Sequence, residues 1–128
     1  MSKKILLADD EPDIRQLVSL RLKSGGYEVV MASDGQDTLT KVKEEKPDLI
    51  IMDLMMPKLD GYKACRLLKF DSRFKQIPVV ILSARGQQED IHLAKECGAD
   101  AYFTKPFEPV SFLAKIKELI EAAPQAPG

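Results

Sequence analysis

The chain has 128 residues, 45% hydrophobic and 30% charged, which is enough apolar material for one well-filled core and too much for a disordered polypeptide. Lys and Arg total 19 against 20 Asp and Glu, so the net charge of -1 offers no global case for nucleic acid or an anionic membrane surface. No apolar run nears the roughly 20 residues of a membrane-crossing helix, and Asp9-Asp10 interrupts the first apolar run before it could serve as a signal peptide, so a cytoplasmic protein is expected.

Short apolar runs alternate with amphipathic segments along the whole chain. Lys4 to Ala8 reads as a first strand, followed by a helix over Pro12 to Ser24 with Ile14, Leu17, Val18 and Leu22 on one face and Pro12 in its first turn. Gly25-Gly26 ends that helix. Tyr27 to Ala32 reads as a second strand, and Asp34-Gly35 turns into a second helix whose apolar face, Leu39 and Val42, is thin; Pro47 closes it. The run Leu49-Ile50-Ile51-Met52-Asp53-Leu54-Met55-Met56-Pro57 has the length and flanks of a strand buried on both faces, with Asp53 delivered at its carboxyl end.

A third helix starts near Asp60-Gly61, with Asp60 as its N-cap and Ala64, Cys65 and Leu68 turned inward. Ile77 to Leu82 reads as the fourth strand. Gln87 to Cys97 reads as a fourth helix with little to bury beyond Ile91, Ala94 and Cys97, so weak packing and mobility are expected there. Gly98 terminates it, Ala101 to Thr104 forms a short fifth strand, and Phe112, Leu113, Ile116, Leu119 and Ile120 mark the last and most regular helix. With no internal repeat and no second core, residues 1–122 are expected to form one domain and 123–128 a flexible Pro/Ala/Gly tail. Cys65 and Cys97, each in a helical segment, read as reduced buried thiols.

Five strand–helix pairs predict an α/β, doubly wound, five-stranded parallel sheet of flavodoxin-like order 2-1-3-4-5, because each parallel crossover needs a covering helix. In such sheets ligands bind beyond the carboxyl ends of the strands. Asp9-Asp10, Asp53, Ser83 and Lys105 fall at four of those five ends. The predicted order makes the first and third strands neighbours and so gathers Asp9, Asp10 and Asp53. Three adjacent carboxylates repel one another unless a divalent cation neutralises them, and oxygen-only ligation with room for water suits Mg²⁺. Lys105 adds a positive charge and Ser83 a hydroxyl, which together describe an oxyanion pocket suited to phosphate.

Ile5 to Pro12, the Asp53 segment with Met56-Pro57 and Asp60-Gly61, Ile81-Leu82-Ser83-Ala84, and Gly98-Ala99-Asp100 through Thr104-Lys105-Pro106-Phe107 resemble the receiver domain of bacterial two-component response regulators over residues 3 to 122. The resemblance implies that Asp53 accepts a phosphoryl group from a sensor histidine kinase or a histidine phosphotransfer protein. It further implies Mg²⁺ on Asp10, Asp53 and the backbone carbonyl of Met55, with Asp9 assisting through water. Lys105 would pair with Asp53 and then with the phosphoryl group, Ser83 and Tyr102 would form the switch, and Lys105-Pro106 would be cis. A monomer when unphosphorylated, acting on a downstream protein target without touching nucleic acid or inserting in a membrane, is the expected behaviour.

Other assignments compete at single positions. Asp53 could merely start a turn, Asp9 and Asp10 could be helix-initiating acids, Lys105 an ordinary surface lysine and Tyr102 a half-buried strand aromatic. His92 reads as a solvated surface histidine, and Arg73 and Lys75 beside Phe74 as a solvated loop. A turnover phosphohydrolase is disfavoured because Met55 stands where an Asp-x-Asp nucleophile motif has its second acid. A flavodoxin-type module is disfavoured because Asp9-Asp10-Glu11 would repel a flavin phosphate, and an unphosphorylated docking platform because every pocket residue is present. Receivers joined to winged-helix DNA-binding domains usually carry an Asp and an Arg where this chain has Ala101 and Lys115. Loss of that dimer pair favours a stand-alone, chemotaxis-regulator-like receiver, with a receiver fragment of a DNA-binding transcriptional regulator as the alternative.

Overall fold

The computed structural model describes residues 3–54, 61–83, 88–105 and 107–122. In chain order the elements are β1 (Lys4–Ala8), α1 (Pro12–Ser24), β2 (Glu28–Ala32), α2 (Gly35–Glu45), β3 (Leu49–Met52), α3 (Gly61–Lys69), β4 (Val79–Ser83), α4 (Gln88–Glu96), β5 (Ala101–Thr104) and α5 (Pro109–Ala122). The strands form one parallel sheet of order β2-β1-β3-β4-β5, as expected from the alternation of elements.

Side-chain alternation along the strands divides the core between the two sheet faces. Leu6, Ala8, Ile50, Met52, Val79 and Ile81 pack on the side covered by α2, α3 and α4, where Val42, Ala64, Cys65, Leu68 and Ala94 meet them. Ile5, Leu7, Leu49, Ile51, Val80 and Leu82 face α1 and α5, against Val18, Leu22, Phe112, Ile116 and Ile120. Because β1, β3 and β4 are covered on both faces, their residues read as unbroken apolar runs rather than alternating ones. Each fully buried Leu, Ile or Phe contributes about 1.5–3 kcal/mol, and this burial holds the central strand ends in place.

Several boundaries and faces differ from expectation for local reasons. Tyr27 belongs to the closure of α1, since its N–H bonds to the Leu22 carbonyl at 3.1 Å, and β2 begins at Glu28. Ile77 is held in a turn by its N–H on the Phe74 carbonyl at 3.0 Å, so β4 starts later and runs through Ser83. Leu17 is 48% exposed, while Val18, Ser19 and Leu22 are buried. The stripe of α1 that meets the sheet is centred on Val18 and Leu22, and Leu17, about 100° round the helix from Val18, falls at its rim. The thin face of α2 gains Thr38, buried because its hydroxyl donates to the Asp34 carbonyl at 2.7 Å. The Asp60 cap, the Met55 carbonyl, the Lys105-Pro106 peptide and the 123–128 tail lie outside the described residues.

Candidate functional site

The parallel register pairs Ala8 with Met52, so the residues that follow, Asp9 and Asp53, leave adjacent strands at the same level. Their backbones stay tied there: the Asp53 N–H donates to the Ala8 carbonyl at 3.0 Å, and the Asp9 N–H to the Ala32 carbonyl at 3.2 Å. Both carboxylates are buried, at 1% exposure for Asp9 and 4% for Asp53. Burying two acids side by side requires a compensating cation.

Lys105 supplies it. From the end of β5 its Nζ reaches Asp9 Oδ2 at 2.6 Å and Asp53 Oδ2 at 2.8 Å, with Glu11 Oε1 at 3.6 Å. Its own backbone is anchored by a hydrogen bond from the Lys105 N–H to the Ser83 carbonyl at 2.7 Å, which also places Ser83 beside the base of the lysine. Burial works against the ammonium charge, but hydrogen bonds and attraction from Asp53 and Asp9 outweigh it, and the Lys105 pKa lies above the ordinary lysine value.

Among the described residues, Asp9, Asp10, Glu11 and Asp53 offer carboxylate oxygens within 4.8 Å of one another. Four carboxylates against one ammonium leave a formal excess of three negative charges among these five side chains. An all-oxygen donor set with that excess, two members buried and Asp10 and Glu11 exposed, fits a hard divalent cation that keeps some of its water.

Asp9 is committed on every side. Besides Lys105, its Oδ1 accepts the Glu11 N–H at 2.9 Å and its carbonyl accepts Arg15 Nη1 at 2.6 Å. The sequence pairs Lys105 with Asp53 and carries no sign of the closer contact to Asp9; it offers Glu11 only as an acid that would repel a flavin phosphate, and Arg15 only as a helix residue. A clue existed for Arg15: a cation near the start of a helix runs against the macrodipole and needs a local reason to be there.

Gly61 does more than open α3. A Cβ built on it would lie 1.9 Å from the Asp53 carbonyl oxygen and 2.7 Å from Leu54 Cα, so the start of α3 presses on the backbone that carries Asp53. Its N–H donates to the Leu54 carbonyl at 2.9 Å. Only glycine permits this approach.

Ser83 is buried at the end of β4, in register with Thr104. Tyr102 is half-buried, paired in register with Ile81, and packs against the core on the α3–α4 side of the sheet. His92 is on the surface as expected, and its Nε2 lies 3.0 Å from Glu96 Oε1, a partner one turn on that was not foreseen. Arg73 is occupied by Asp71 at 2.8 Å and by the Phe74 ring at 4.8 Å.

Residues 5–117 match the family model of the response regulator receiver domain. Among curated proteins, the chain is 43% identical over 120 residues to the alkaline phosphatase synthesis transcriptional regulatory protein PhoP of Bacillus subtilis, covering 94% of this chain and 49% of that protein. It thus spans about half the length of the curated relatives it matches. Among solved structures it resembles the chemotaxis response regulator CheY4 of Vibrio cholerae, with a TM-score of 0.85 and 33% identity, covering 93% of this chain and 99% of that one. It also resembles the receiver domain of the sensor histidine kinase PA1611 from Pseudomonas aeruginosa, with a TM-score of 0.88 and 28% identity over 95% of this chain and 100% of that one. That structure has a magnesium ion coordinated in its active-site cleft.

Proposed function

Because this chain belongs to the response regulator receiver domain family, we propose that Asp53 accepts a phosphoryl group from the phosphohistidine of a sensor histidine kinase or histidine phosphotransfer protein, and that the domain then changes conformation to control a partner. The observation that carries the proposal is the Asp53–Lys105 pair at 2.8 Å, set at the strand ends inside the acidic cluster. An Asp53 carboxylate oxygen attacks phosphorus, the bond from phosphorus to the histidine nitrogen breaks, and the imidazole leaves with the electron pair. The product is an acyl phosphate.

Phosphoryl transfer asks for in-line positioning and for neutralisation of the equatorial oxygens rather than covalent help. Asp10, Asp53 and the Met55 carbonyl, with Asp9 through water, would hold a Mg²⁺ ion that supplies part of that neutralisation. Lys105 supplies the rest by following the charge from the Asp53 carboxylate to the phosphoryl oxygens, and Ser83 donates a hydroxyl hydrogen bond to one of them. Tyr102 then turns into the space Ser83 leaves. No second acid follows Asp53 two positions on, which supports a switch that is reset rather than a turnover enzyme. We place this chemistry in the cytoplasm.

Acetyl phosphate with Mg²⁺, followed by intact mass, tests the reading. Wild type is expected to gain one phosphoryl group, and omission of Mg²⁺ or the Asp53→Ala substitution to abolish the gain. An unmodified wild type that also fails to bind beryllium fluoride would overturn it in favour of a docking platform.

For the output we favour protein contact by an isolated receiver, since Ala101 and Lys115 lack the charge pair of winged-helix regulators; Lys115 instead lies 3.4 Å from Glu118 on its own helix. The identity to transcriptional regulators such as PhoP favours a second reading, the receiver part of a DNA-binding regulator. Sedimentation with and without beryllium fluoride separates them: an unchanged monomer supports the first, a fluoride-dependent dimer the second.

A further inference from the structure

Helices α3 and α4 meet through sulfur. Cys65 lies on the buried face of α3, Cys97 is the first residue beyond α4, and both are fully buried free thiols. Cys65 Sγ donates to the Cys97 carbonyl at 3.5 Å, which brings the Cys65 thiol against the residue that carries the second one. Cys97 Sγ donates to the Ala94 carbonyl at 3.2 Å, and the Ala99 N–H bonds to that same carbonyl at 3.0 Å, which holds Cys97 at the close of α4. Nothing at the acidic pocket uses either residue.

We propose that Cys65 and Cys97 are a reversible disulfide site, oxidised by a peroxide, whose closure ties the C-terminal end of α4 to α3. In this proposal Cys97 is the attacking sulfur, in keeping with the direction of the shifts: the neighbouring Cys65 thiol lowers the Cys97 pKa in spite of its burial, while that of Cys65 is raised. Its thiolate attacks one peroxide oxygen, the O–O bond breaks, and the departing hydroxide takes the Cys65 proton. The Cys65 thiolate then attacks the Cys97 sulfenic sulfur, the S–O bond breaks, and the second oxygen leaves as water after gaining a proton. Two thiols lose two electrons and two protons, and one hydrogen peroxide becomes two waters.

The two sulfurs are buried, so the oxidant reaches them when α4 opens locally. That opening is favoured by the thin contact of the helix with the core, to which Ala94 is the buried apolar side chain it contributes among the described residues. The disulfide is independent of Asp53. Any effect of the disulfide on signal output rests on the receiver reading above.

The full chain, treated with hydrogen peroxide, unfolded, alkylated and weighed, is expected to lose two hydrogens, resist alkylation and regain both thiols with dithiothreitol. Cys65→Ala and Cys97→Ala should each retain an alkylatable or independently oxidised thiol, and Asp53→Ala should form the disulfide as wild type does. Covalent dimers, separate sulfinic acids, or two alkylatable thiols after a free-thiol peptide in the same tube has been consumed would overturn the proposal. Amide exchange in α4 is expected to slow about tenfold on oxidation, and an unchanged rate would overturn the tie. A reduced chain that takes up no phosphoryl group from acetyl phosphate and binds no beryllium fluoride would instead sink the receiver reading, leaving the mass result standing as evidence for the disulfide.

Discussion

Lys105 stands between two buried carboxylates, and its removal leaves them facing each other. We expect Lys105→Met to destabilise the fold by on the order of 3 kcal/mol at neutral pH, the cost of breaking a buried charge network from one side. Urea melts would measure it. Because the folded pKa of Lys105 is raised above 10.5, its contribution is full below that value and lost as pH climbs through the higher folded value; the gap between wild type and variant should therefore narrow only above about pH 10.5. A gap that closed between pH 5 and 8 would refute this. Gly61→Ala acts on backbone instead. The added methyl meets the Asp53 carbonyl, so a loss of about 1–3 kcal/mol is expected, together with slower phosphoryl incorporation as Asp53 is displaced.

Among the elements, α2 is started by its cap and held by the burial of Val42. Asp34, 8% exposed, accepts the Asp37 N–H at 2.8 Å and passes its carbonyl to the Thr38 hydroxyl. Asp34→Ala is expected to cost about 1 kcal/mol, and Asp34→Asn much less, both read from thermal melts. The helix starts, the glycine stops and the buried strands were legible in the sequence because each is a local signal: Pro12 in a first turn, Gly98 after Cys97, the Leu49–Met52 run. Leu17 was not. Whether an apolar residue of an amphipathic helix lies under the sheet or at its rim depends on how the helix is rolled, and α1 is rolled about Val18 and Leu22.

Over the whole molecule, near-neutral net charge conceals a strong local imbalance. The strand ends concentrate four carboxylates around one lysine, while much of the remaining charge is spread over exposed pairs such as Asp71–Arg73 and Glu96–His92. Without Mg²⁺ that cluster repels itself, so Asp10→Asn is expected to raise stability by about 0.5–1 kcal/mol in chelator, a gain bought by loss of function. Addition of Mg²⁺ should then stabilise wild type but not the variant; thermal melts with and without the ion decide it.

The sequence alone determined the order of strands and helices, the sheet that follows from it and the identity of Asp9, Asp10, Asp53, Ser83 and Lys105 as residues at strand ends. Those are properties of local pattern, and parallel connection leaves few topologies open. Tertiary structure alone decided that Lys105 bridges Asp9 as well as Asp53, that Arg15 folds back on the Asp9 carbonyl, that Gly61 presses on the Asp53 backbone and that Cys65 meets Cys97. Each is a contact between segments distant in sequence or a side-chain direction within a turn. Such distances are set by how the helices roll and seat on the sheet, which no local pattern encodes.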